Sequence, residues 1–339
     1  MEHALICPQC KAPLTAHRFA RSATCAYCGT TVFLDESSVS AEGFREAYQY
    51  WNAPENYGVF SYLSQGGRHW VLEKLLAQGE ASDIYSSKLA RWPTELVLIK
   101  ILRDNNDVPF LQREDITLQA LIHSQARGAA HFSRLVPQPV VLGTVTGSAH
   151  HGRMVSILRY ESGFKHTFVD VKRAYPDGIP ARSVIWIWRR LLELFSFMHR
   201  SGFAHGAVLP EHLLVQQNDH GVRLVGYGRS GRLGEPLPGM RPGCERYYPL
   251  SGNSIHQLTT DLDVVMSGRC MVDLLNGDLE TCELPGGVPT ALAALVSKVA
   301  RLDPRREPPG DPLAIHKKLA EISDQVYGAP VFNPIRMPD

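Results

Sequence analysis

The 339-residue chain has almost no net charge: 35 lysines and arginines face 34 aspartates and glutamates. Bulk electrostatics therefore give no reason to expect nucleic acid or an anionic membrane as partner. No apolar run approaches bilayer length, and the N-terminal stretch lacks the basic start and apolar core of a secretion signal. A cytoplasmic location is the expectation. Cysteine is sparse: of seven, four are grouped near the N-terminus, and Cys244, Cys270 and Cys282 are scattered as single thiols, which is not the pattern of a disulfide framework. What the chain does have is 44% hydrophobic residues. That is enough for a sizeable core, and the length suits one large domain plus a small one.

The grouped cysteines form two C-x2-C pairs, Cys7-Pro8-Gln9-Cys10 and Cys25-Ala26-Tyr27-Cys28, separated by fourteen residues. Each pair suits a tight turn whose backbone amides point at thiolates, and two such turns close a tetrahedral four-sulfur site for structural Zn2+. Flanking residues such as Val32-Phe33-Leu34 read as short strands, so residues 1–35 are expected to be a zinc ribbon. The metal supplies stability that so short a segment cannot obtain from buried apolar surface. A pair of disulfides is the alternative reading. Four sulfurs leave no open position for water, which argues against a catalytic zinc. Residues 36–69 read as a linker with a short helix near Gly43 to Trp51, where Phe44, Tyr48 and Trp51 recur at helical spacing.

The remainder is organised around residues 203–228, which read as a loop, a strand at Leu213 to Val215, a polar turn and a strand at Val222 to Val225. The stretch resembles the catalytic core of the eukaryotic-type protein kinases. His205-Gly206-Ala207 stands at that family's histidine, arginine, aspartate triplet, and Gly226-Tyr227-Gly228 at its aspartate, phenylalanine, glycine triplet. Earlier segments continue the resemblance. Ala77 to Tyr85 matches the glycine-rich loop with Gly79 the retained glycine; Leu96 to Lys100 matches the strand ending in the phosphate-gripping lysine; Glu114 sits on a helix over Phe110 to Ile122 with Leu118 and Leu121 on one face. Ile157 to Gly163 fills the hinge, Ala181 to Arg200 is a long amphipathic helix, and a helix over Leu262 to Leu275 carries Asp263 and Gly268. The resemblance implies an α+β, bilobal protein-kinase-like fold over 70–325, with a β-rich N-lobe, an α-helical C-lobe and a tail over 326–339.

The departures fall on the groups that do chemistry. Ala207 replaces the base, His212 and Gly226 replace the two magnesium ligands, and Leu209 replaces the loop lysine. Phosphoryl transfer depends on positioned charge, so the resemblance implies a pseudokinase with no catalytic residues. Gly206 at the arginine position leaves no cation for a phosphorylated activation segment. Leu250 and Glu307 replace both halves of one family salt bridge. A retained Lys100–Glu114 pair, with Gly79, keeps ATP binding open, whereas Leu98 crowds the adenine position and Gly226 removes the metal anchor.

The expected function is that of a catalytically inactive scaffold or allosteric regulator docking a protein partner. Its candidate faces are the ribbon and an exposed segment carrying Arg229, Arg232, Arg241 and Arg246. The competing expectation is a divergent ATP-dependent transferase using His212 or Glu211 as base. Nucleic-acid contact by the ribbon would fall to Lys11, Arg18 and Arg21 with His17 and Phe19, and is the weakest reading. Ribbons joined to kinase-like domains suggest a bacterial source.

Overall fold

The computed structural model describes residues 5–7, 12–14, 22–26, 28–33, 62–90, 96–216, 220–249, 256–301, 303, 310–329, 331 and 334–337. The chain divides into two compact units, residues 1–60 and 61–339.

The first unit contains two small antiparallel ribbons. β1 (Leu5–Ile6) pairs with β2 (Pro13–Leu14), and β3 (Ser22–Thr24) with β4 (Thr31–Phe33). Their turns are closed by Cys7 N–H to Ala12 O and Cys25 N–H to Thr30 O, both 2.8 Å. The helix expected near Gly43 to Trp51 lies outside the described residues.

The second unit opens on β5 (Tyr62–Gln65), within the segment read as linker. Here the apolar Leu63 is fully buried and pairs with Trp70 of β6 (Arg68–Gln78). β7 (Ser82–Leu89), β8 (Leu96–Leu102), α1 (Val108–Ile122), α2 (Ala129–Phe132), β9 (Pro139–Thr144) and β10 (Met154–Arg159) follow. The six strands lie in the order β5-β6-β7-β8-β10-β9. β5 also bonds beyond the end of β9, with Ser64 N–H to Gly147 O at 2.9 Å and Thr146 N–H to Ser64 O at 2.7 Å, so both edges of the sheet are engaged. Alternation along β8 does the sorting. Val97, Ile99 and Ile101 enter the core beneath this sheet with Val155 and Ile157, while Leu98 and Lys100 face the other way. α1 begins ahead of the expected Phe110 because Pro109 suits a first turn, and Asp104 caps the short 3-10 turn before it.

The second lobe runs through β11 (His166–Thr167), α3 (Phe168–Ala174), α4 (Ala181–Arg200), β12 (Phe203–Ala204), β13 (Leu213–Val215), β14 (Val222–Leu224), β15 (Gly231–Arg232), α5 (Thr260–Leu274), α6 (Thr290–Arg301) and α7 (Pro312–Tyr327). α4 is its axis, with twelve buried residues, among them Trp188, whose indole N–H donates to Ser267 Oγ at 2.9 Å. Trp186, on the same helix, is half-buried, with the Arg189 guanidinium 6.0 Å from its ring. α5 starts two residues before the expected Leu262 because the Thr259 hydroxyl caps the Leu262 amide. Gly268 lets α6 approach: a Cβ there would lie 3.0 Å from Val299. The buried Arg269 donates to the carbonyls of Arg246, Leu279 and Ala300 and so ties the loop before α5 to α6. Leu250 and Glu307 lie outside the described residues. The expected tail is partly core: Ile335 is 2% exposed, and the Tyr175 hydroxyl bonds both the Arg336 carbonyl and its N–H.

Candidate functional site between the lobes

The loop between β12 and β13 is fixed from below by α5. Asp263 accepts the His205 N–H at 2.8 Å with one oxygen and the Gly206 N–H at 2.9 Å with the other, and it also bonds His199 Nε2 at 3.0 Å. Gly206 has φ +71°, and a Cβ there would come within 2.5 Å of Leu258 and 2.8 Å of Arg229 O. This conformation and its close packing strongly favour glycine, and an arginine would not fit without rearrangement. His205 donates from Nε2 to Val225 O at 3.1 Å and accepts the Ala207 N–H at Nδ1, with its ring edge-on to Tyr227 at 4.6 Å. Burial pushes its pKa down to about 3, so the ring is neutral at pH 7. Leu118, His205 and Tyr227 are all fully buried, as expected of side chains packed between the lobes.

The loop that the resemblance sets at the site of transfer packs into the core. Ala207, Val208 and Leu209 are all fully buried in the helical lobe. On β13 the strand period sends Leu213 and Val215 inward and leaves Leu214 half-buried. The two positions that the resemblance sets at the metal ligands pack as one piece. His212 bonds Ala207 O through Nδ1 at 2.8 Å, and its ring lies over Gly226, where an added Cβ would be 2.4–2.7 Å from three imidazole atoms. Gly226 itself has φ +79°. The histidine ring thus fills the volume that a carboxylate side chain at 226 would enter. Desolvation lowers the His212 pKa to about 4, with Lys100 and Arg229 adding in the same direction against Glu114 and the Ala207 carbonyl.

Lys100 and Glu114 do meet. The ammonium contacts both carboxylate oxygens at 2.6 and 2.8 Å, and the same carboxylate accepts the Tyr227 N–H at 3.1 Å. The pair therefore links β8, α1 and the Gly226-Tyr227-Gly228 turn. The glycine-rich loop is turned in on itself. Gly79 N–H donates to Ser82 O at 2.8 Å, while Arg103 binds the carbonyls of Gly79 and Glu80 and the Asp83 carboxylate. An amide committed to a turn carbonyl is not free to cradle a phosphate.

Arg229 and Glu80 close the cleft. Arg229 was expected on an exposed segment, but it is 5% exposed. Its guanidinium bonds the Glu80 carboxylate at 2.5 Å and Pro238 O at 3.1 Å and lies over the Phe110 ring. The ring and the carbonyl give it somewhere to be buried. A charged residue inside a glycine-rich loop and an arginine directly after Gly228 were the available signal. On the loop before β13, Glu211 is paired with Arg241 and accepts from the Cys244 thiol. Leu98 is half-buried and packs against the helical-lobe core.

In the first unit, Cys7, Cys25 and Cys28 offer sulfurs lying within 4.8 Å of one another, with Cys7 and Cys28 3.5 Å apart. Tetrahedral Zn–S bonds of about 2.3 Å set sulfurs roughly 3.8 Å apart, so the donor set fits zinc and the thiols are not bonded as disulfides. Cys10 lies outside the described residues.

Comparison with known proteins agrees with this geometry. The solved structure of vaccinia related kinase 3 superposes with a TM-score of 0.58 at 16% identity, covering 87% of this chain and 99% of that one. The BubR1 kinase domain gives 0.58 at 13% identity, covering 78% and 83%. The larger unit has the protein-kinase fold. In sequence, the B1 kinase of vaccinia virus (strain Ankara) is 29% identical over 119 residues, 32% of this chain and 40% of the viral protein. That of variola virus is 28% identical over the same length. The match therefore spans well under half of these relatives. Residues 7–32 match the family described as the PriA DNA helicase Cys-rich region domain. The kinase-like unit thus follows a Cys-rich ribbon. Among the described residues, no helix is long and apolar enough to cross a membrane.

Proposed function

We propose that this protein is a catalytically inactive kinase-like scaffold, carrying a structural zinc ribbon, whose role is to bind and regulate a protein partner. The observation that carries the reading is the His212 ring lying over Gly226, which leaves no room for a metal-holding carboxylate. The other carboxylates around the cleft support it, because each is engaged: Glu114 by Lys100, Glu80 by Arg229, Glu211 by Arg241 and Asp263 by two amides. A general base must be free to take a proton from a substrate hydroxyl, and each of these carboxylates is committed to a cation or to backbone amides. Arg232 and Arg246 remain exposed on the segment after Gly228 and, with the ribbon, are the faces offered to a partner.

The similarity to viral kinases favours the competing reading, a divergent ATP-dependent transferase, and one assay separates the two. Thermal-shift titration with ATP, alone and with magnesium or manganese, is expected to give no metal-dependent stabilisation, and radiolabelled ATP no label on generic acceptors or on the chain itself. Label transfer that is lost in Lys100→Ala would overturn the scaffold reading.

A further inference from the structure

The outer face of α1 carries a stripe that takes no part in the Lys100–Glu114 link. Pro109, Gln112, Arg113 and Ile116 follow one another at helical spacing. Between this stripe and the strands β12 and β15 lies a cavity of about 320 Å³ lined by Gln112, Arg113, Ile116, Phe203, Arg232 and Glu235, among others. Ile116 at its rim is 64% exposed, more than any other large apolar side chain among the described residues, and Leu233 beside β15 is 37% exposed. The cavity holds two guanidinium groups and one carboxylate. Arg232 lies over the Phe203 ring at 5.4 Å, and the Glu235 carboxylate accepts the Arg232 backbone N–H at 3.0 Å. Neither Arg113 nor Arg232 has a carboxylate partner among the described residues. Two unpaired cations beside exposed apolar surface have the charge and shape to receive a negative group flanked by an apolar one. The volume is at the small end for a ligand pocket and suits a pair of side chains.

We propose that this cleft docks a partner protein through a segment that sets an Asp or Glu carboxylate between Arg113 and Arg232 and an apolar side chain against Ile116. This names the partner chemistry of the scaffold role and rests on that role. The full chain, labelled at isoleucine methyls, is titrated with the synthetic peptide acetyl-Gly-Ser-Glu-Leu-Glu-Phe-Gly-Ser-amide, with its Gln-for-Glu counterpart, and with a counterpart carrying phosphoserine in place of Glu. A saturable shift of the Ile116 methyl by the acidic peptide, absent with the Gln peptide and weakened at least about tenfold by Arg113→Gln with Arg232→Gln, is the expected result. Ile116→Asp, an exposed change that leaves the core alone but removes the reporting methyl, is expected to abolish binding as well, read for this variant by the fluorescence anisotropy of a dye-labelled copy of the acidic peptide. No saturable shift, equal binding of the Gln peptide, or full binding by both variants overturns the proposal. Binding of the phosphopeptide alone overturns the carboxylate assignment in favour of a phosphorylated partner. ATP turnover, measured separately, would sink the scaffold reading without moving this titration.

Discussion

At the scale of single residues, His212 and Gly226 act as a pair. Aspartate introduced at 226 alone meets the imidazole and adopts a positive φ that disfavours a side chain. Gly226→Asp is expected to cost about 2–3 kcal/mol in urea unfolding, and adding His212→Asn should return at least about 1 kcal/mol of it. Strict additivity of the two changes would show that the contact carries no energy. The same histidine, with His205, sets a pH dependence. Both are held neutral in the folded protein, at about 4 and about 3, against roughly 6.5 when unfolded. Below pH ~6.5 the unfolded chain therefore binds protons that the folded chain does not. The stability contributed by these groups is fully present above that pH and is lost as pH falls toward the folded values. Urea midpoints are expected to decline from pH 6.5 to 4 with uptake of up to about two protons on unfolding, and by a shallower slope in His212→Asn.

At the scale of elements, the glycine-rich turn between β6 and β7 is held at both ends. Arg103 grips its carbonyls and Arg229 its Glu80 carboxylate. Glu80 is about a third exposed while Arg229 keeps Pro238 O and Phe110, so Glu80→Gln should cost little global stability. What should change is local opening. Amide exchange of Gly79 to Ser82 is expected to speed up several-fold, with that of α4 unchanged; identical exchange at the turn would mean the ion pair does not restrain it. Arg269 does comparable work on the far side by donating to three carbonyls.

At the scale of the whole molecule, two units rest on different sources of stability. The larger has two apolar cores, one under its sheet and one around α4. Among its described residues, the smaller has two ribbons of two or three residues per strand and a sulfur cluster. Bound zinc is expected at one ion per chain by atomic absorption, and stripping it with a chelator should collapse the amide signals of the β1–β4 turns. Replacing Cys25 by Ser should do the same without a chelator, and full metal content in that variant would exclude the site.

Much of this was legible in the residues themselves. Hydrophobic pattern marked α4 and the β13–β14 hairpin, the resemblance to kinases marked β8, and the C-x2-C spacing marked the ribbon, because such patterns are local and each element enforces its own. The resemblance to protein kinases further implied a missing base at Ala207 and missing metal ligands at His212 and Gly226, an expectation drawn from aligned motifs rather than from local pattern. Tertiary structure alone decided how those positions pack. Nothing local says that the His212 ring fills the space above Gly226, that Arg229 turns inward to Glu80, or that β5 closes the sheet. Those contacts join residues far apart in the chain, and whether a side chain is buried or free depends on what the fold brings against it.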